Sequence, residues 1–199
     1  MEGMLEEPQG TVKLNLEKYS LSHLKNKNPS AWSASDIQQL IDAFAAEDIS
    51  PTVRGLPFTA YNVKKLLGTS NCRRCGKCCL PNPLNPEHPG VMVYKEDLIK
   101  IAKHSHYSYK YLKKKAILNT NPNLAPRRYL PLPCMFYDKT KSECQIYDIR
   151  PLVCRTFPIT DLPRQVGISI NVRCEYGRDI YRNVINLLKK KPMLSKTDL

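Results

Sequence analysis

No stretch of this chain approaches the run of about 18 apolar residues that a membrane-spanning helix needs. The first residues, Met1-Glu2-Gly3-Met4-Leu5-Glu6-Glu7-Pro8, are acidic and lack an apolar core, so they do not read as a secretory leader. No internal repeat is visible, no known nucleic-acid-reading motif, and no glycine-rich loop that would hold a methyl donor. The first two of these absences lead us to expect the chain in the cytoplasm, where thiols stay reduced. Acidic residues are also scarce: 18 against 31 basic ones, a net charge of +13. Such a surface attracts nucleic acid, acidic proteins or other polyanions. An anionic inorganic group inside the protein would account for part of the same excess.

With 199 residues the chain suits one domain and can bury a real core. Sixteen prolines point to loop-rich stretches.

What the chain does have is cysteine. Four stand within eight residues, Cys72-Arg73-Arg74-Cys75-Gly76-Lys77-Cys78-Cys79, and four more follow at Cys134, Cys144, Cys154 and Cys174. In a reducing compartment clustered cysteines read as metal-binding or catalytic rather than as disulfides. Thiolates are soft ligands that select zinc, copper(I) or iron–sulfur clusters. Eight thiols divide evenly into two four-ligand sites; one site with four spare thiols is the other arrangement.

Two-residue spacers let a tight turn aim successive sulfurs at one point. Cys72, Cys75 and Cys78 reproduce the first three positions of the bacterial ferredoxin run. Structural zinc sites use the same spacer in two separated pairs. If the backbone is extended there, Cys78 and Cys79 face opposite ways. They would then serve two centres, or one would stand behind the ligands. The string is not the C-x3-C-x2-C of radical S-adenosylmethionine chemistry. A thioredoxin-like pair lacks its βαβ context, and a cysteine protease would need a positioned histidine. His104 and His106 read as surface residues.

Three zones follow. Residues 1–70 read as an N-terminal helical extension, with a helix capped at Ser35 that buries Ile37, Leu40, Ile41 and Phe44 and stops at Ser50-Pro51. A second helix runs from Ala60 to Leu67 and ends at Gly68. Residues 71–176 form the eight-cysteine metal-binding core. It holds a proline-rich loop from Pro81 to Gly90, a helix over Glu96 to Ala102, and a helix from Ser108 to Leu118 whose Lys113, Lys114 and Lys115 make a basic surface. The alternation from Val166 to Val172 predicts a strand that delivers Cys174. Residues 177–199 complete an amphipathic helix, begun at Tyr176, that packs Ile180, Val184, Leu187 and Leu188 on the core and closes at Pro192.

The second cysteine group reads Cys144-Gln145-Ile146-Tyr147-Asp148-Ile149-Arg150-Pro151-Leu152-Val153-Cys154-Arg155-Thr156-Phe157-Pro158. Taken with the first string and Cys174, it closely resembles the CxxCxxCC (YkgJ-like) cysteine-cluster family of zinc- or iron-chelating proteins. The resemblance runs from Cys72 to Cys174 and supplies a candidate for each of the family's eight cysteines. It implies a metal centre more firmly than an activity. One branch, the flagellin lysine methylases, shares the motifs and uses S-adenosylmethionine, but this chain is short of a further substrate domain.

The expected fold is therefore α+β, a single domain mostly helical and loop-rich with little β-sheet, organised around cysteine-bound metal. The metal ligands would be Cys72, Cys75, Cys78, Cys79, Cys134, Cys144, Cys154 and Cys174. Arg150 and Arg155 would donate to cluster sulfurs or to Asp148, and Tyr147 and Phe157 would shield the centre from water. The expected cofactor is one iron–sulfur cluster, or two, with zinc as the alternative. An iron–sulfur protein would act in electron transfer, redox-linked modification or maturation of a partner protein. A zinc protein would bind nucleic acid or acidic partners through its basic surface. The third reading, which the resemblance implies, is an S-adenosylmethionine-dependent protein-modifying enzyme like the lysine methylases; the residues themselves assign no activity.

Overall fold

Ser33 places its hydroxyl under the Asp36 amide while the Asp36 carboxylate takes the Ser33 amide. This reciprocal cap starts helix α1, Ala34–Ala46, two residues before the expected cap at Ser35. The shift follows from the side chain at the third helical position. Starting from Ser33 that position is Asp36, an acid that returns a charge-assisted bond, whereas Ser35 would have offered Gln38. Ile37, Leu40, Ile41 and Ala43 are buried. The helix ends at Ala46, before the expected Ser50-Pro51, because Asp48 turns into left-handed backbone at φ 52°.

In this computed structural model residues 14–28, 31–54, 56–84, 88, 90–119, 126–161 and 167–190 are described. The acidic segment Met1 to Pro8, parts of the Pro81 to Gly90 loop, Val166, the Leu188 side chain and the closing Pro192 lie outside them.

The remaining elements are β1 (Thr52–Arg54), α2 (Ala60–Leu67), β2 (Val91–Val93), α3 (Lys95–His104), α4 (Tyr109–Lys115), β3 (Ile117–Asn119), β4 (Arg127–Leu130), β5 (Tyr137–Asp138), β6 (Glu143–Cys144), α5 (Leu152–Thr156), β7 (Ile159–Asp161), β8 (Gly167–Ile170) and α6 (Glu175–Lys190). Single 3-10 turns stand at Ser22–Leu24 and Tyr147–Ile149. The fold is mixed α+β. Its sheets are more numerous than expected: two antiparallel three-stranded sheets, ordered β1-β8-β7 and β2-β4-β3, and the hairpin β5-β6.

Among the described residues three cores organise these pieces; a small one joins Leu21, Leu24, Leu40 and Ala43 at the N-terminal end, and two larger ones flank the cysteines. The first joins Ile37 and Ile41 of α1, Val63 and Leu66 of α2, Ile159, Ile168 and Ile170 of the first sheet, and Ile180, Tyr181, Val184 and Ile185 of α6. Residues expected as an N-terminal extension thus supply a strand and two helices to the same core as α6. On α6, Ile180 and Val184 are buried as expected and Tyr181 and Ile185 join them, whereas Leu187, expected on the same stripe, stands exposed. The second core joins Val93, Leu98, Ile101, Leu112, Leu130, Phe136 and Ile146. Here α4 stops at Lys115, short of the expected Leu118, because Ile117, Leu118 and Asn119 pair with β4 as a strand.

Candidate metal centre

The thiol string bends where non-standard backbone allows it. Arg74 (φ 54°) and Gly76 (φ 72°) both adopt the left-handed region on either side of Cys75. The Cys79 amide then closes a turn onto the Gly76 carbonyl at 2.7 Å. Gly76 lies so close under Tyr137 that a Cβ would collide with its hydroxyl and ring. Because this is a turn and not extended chain, Cys78 and Cys79 do not face opposite ways. Their sulfurs stand 3.7 Å apart and both line one cavity.

Straps hold the string against α6. Arg73 Nη2 donates to Asp179 at 2.8 Å and Ser70 Oγ to the same carboxylate at 3.1 Å. Lys77 Nζ donates to the Arg173 carbonyl at 2.9 Å, and Arg173 Nη2 answers to the Lys77 carbonyl. At the start of α6, Cys174 receives the Gly177 amide on its sulfur at 3.4 Å. The amide at this helix N-terminus pulls toward the thiolate, and burial outweighs it.

From the other core, the Cys134 amide donates to the Cys79 carbonyl at 2.7 Å. The hairpin sets Cys144 opposite Tyr137. Pro151 then opens α5, which carries Cys154. Arg150 Nε donates to the Tyr147 carbonyl at 2.8 Å, and its guanidinium lies 3.7 Å from the Tyr147 ring centre. Arg74 covers the same ring at 4.6 Å.

The result is a cavity of about 550 Å³, partly open to solvent. Seven of the eight cysteines line it: Cys72, Cys75, Cys78, Cys79, Cys144, Cys154 and Cys174. Cys134 sits behind Cys79, hydrogen-bonded to it. Arg150, Tyr147 and Phe157 line the cavity as expected. Arg155 does not; its side chain is exposed, and neither arginine pairs with Asp148. Tyr137, Tyr176, Arg73 and Arg74 also line it and were not anticipated. Their signal was proximity: the two arginines fill the first spacer, and the tyrosines follow Cys134 and Cys174 within three residues.

Electrostatics separate the thiols. The Cys79 hydrogen bond, helped by Arg150 and Arg173, brings Cys78 down to about 7 against a burial cost. Cys79 is pushed up by donating to Cys134 and Cys78, and Cys134 is correspondingly lowered. Burial raises Cys144 and Cys154, and raises Cys174 to about 11. The neighbours that act on Cys174 are Cys75, Cys78 and Cys72; those that act on Cys154 are Cys78, Cys134 and Cys144. Cys78 is common to both sets. Among the described residues, no three cysteine, histidine or acidic side chains close on one point as a preformed ion site would.

A family model described as "putative zinc- or iron-chelating domain" matches residues 71–176. Over 88 residues the chain is 31% identical to the uncharacterized protein MJ0661 of Methanocaldococcus jannaschii. That match covers 44% of this chain and 43% of the relative, so it spans less than half the relative's length. No solved structure matches. The matched interval holds all eight cysteines and the whole cavity they surround, and the chain belongs to the CxxCxxCC family of zinc- or iron-chelating domains.

Proposed function

We propose that the cavity holds an iron–sulfur cluster, and that the protein serves electron transfer or the redox-linked modification or maturation of a partner protein. The observation that carries this reading is a ring of seven thiols about a cavity with no histidine or carboxylate in its lining. A single zinc needs four donors about 2.3 Å from one point. A cluster spreads its ligands over several irons, so its thiolates stand apart around a volume.

Cys72, Cys75, Cys78 and Cys174 would hold the cluster, being the set that the α6 straps assemble. When bound, the cluster supplies one-electron chemistry. Arg73, Arg74 and Arg150 offset its negative charge, and Tyr147, Phe157 and Tyr176 limit water. The remaining thiols, Cys79, Cys134, Cys144 and Cys154, have the composition for a second metal.

Anaerobically purified protein tests this. The expected result is a brown sample with iron and acid-labile sulfide, about four of each per chain for one cluster and about eight for two. Cys174→Ser should lose the visible absorbance. Stoichiometric zinc without sulfide, retained in air, would overturn the reading in favour of a structural zinc domain.

A further inference from the structure

A second cavity, about 1400 Å³ and partly open to solvent, shares Cys78, Cys154 and Phe157 as a common wall with the first. Its remaining lining is mixed. Val91, Met92, Leu132 and Val153 supply apolar surface, and Asp48 and Arg173 supply one charge of each sign.

Both charges are half-buried, and each is held in place by neutral groups. Asp48 takes the Asn82 amide on Oδ2, which leaves Oδ1 without a donor. Arg173 spends Nη2 on the Lys77 and Leu80 carbonyls, which leaves Nη1 and Nε. Among the described residues neither side chain is ion-paired, with the other or with any third group. An anion and a cation that line one cavity without pairing with each other complement a molecule that carries both charges itself.

We infer that this cavity binds a small zwitterion of the amino-acid class with an apolar body, its ammonium on Asp48 and its carboxylate on Arg173. The apolar portion then lies along Val91, Met92, Leu132 and Val153, toward the wall shared with the thiols. The assignment does not depend on which metal the first cavity takes.

Three probes isolate the two charges: L-phenylalanine, phenethylamine and 3-phenylpropionate, titrated into the protein as purified and followed by calorimetry. Phenylalanine should bind tightest, with each half-probe about tenfold or more weaker, the worth of one charge-assisted hydrogen bond. Asp48→Asn keeps a residue that tolerates left-handed backbone. It should weaken phenylalanine and phenethylamine about tenfold while leaving 3-phenylpropionate unchanged. Met92→Trp, which fills the apolar side, should abolish all three. Absence of phenylalanine binding to the wild-type protein, or equal affinity in Asp48→Asn, would overturn the inference, and neither result bears on the iron and sulfide content.

Discussion

At Gly76 the main chain takes a left-handed turn directly beneath the Tyr137 ring. A methyl group there meets both backbone strain and a collision, and the turn that brings Cys78 and Cys79 to the cavity opens. Gly76→Ala should therefore lower bound metal per chain severalfold while leaving helix content by circular dichroism near wild type. Asp97 acts at a distance from the thiols. Its carboxylate takes the Tyr94 amide at 3.0 Å and, across the second core, the Leu152 amide at 3.0 Å. It is one of two buried polar residues recorded for the described chain. It pins the first residue of α5, and hence Cys154, to the start of α3. Asp97→Ala strands two amides and should cost about 2–4 kcal/mol in urea unfolding, with Asp97→Asn in between.

Single elements differ in how well their residues announced them. The second helix ran over Ala60 to Leu67 as expected, because Thr59 and Gly68 bracket a short amphipathic run. The α4–β3 junction was misread, since Lys113, Lys114 and Lys115 continue a helical composition that only pairing with β4 interrupts. Strands of two to four residues, such as β5, β6 and β7, have no periodicity to detect. The α1 cap allows two quantitative checks. Ser33→Ala removes the hydroxyl beneath Asp36 and should cost about 1 kcal/mol. The Ser33 amide, with His23 second, holds the Asp36 carboxyl well below the usual carboxylate range. Its folded value is depressed, so its contribution is complete above the unfolded value of about 3.9 and is lost as pH falls below that. The gap in urea midpoint between wild type and Asp36→Asn should stay constant from about pH 7 to about pH 5 and narrow as pH falls from about 4 to about 2; a gap that does not narrow below about pH 4 would contradict the assignment.

Across the whole molecule, two cores meet at the thiols. Cys174 lies between Val172 and Tyr176 of the first, Cys134 and Cys144 pack against the second, and the string from Cys72 to Cys79 is strapped to both. Cysteine spacing made the candidate donors legible. It could not show that Cys134 stands behind the cavity, that Arg155 faces solvent, or that Arg173 braces the string, because those placements depend on how the cores dock. A group bound at this seam links their stabilities. Stripping metal should lower the thermal midpoint by roughly 5–10 °C. Amide exchange should rise most in the segments around Cys79 and Cys134, where the cores share a backbone hydrogen bond.

Of the eight cysteines, Cys75 alone is exposed; Cys79 and Cys174 are buried and the other five half-buried. An oxidant or an alkylating reagent arriving from solvent therefore meets the least obstruction at Cys75, which makes it the most vulnerable thiol of the set.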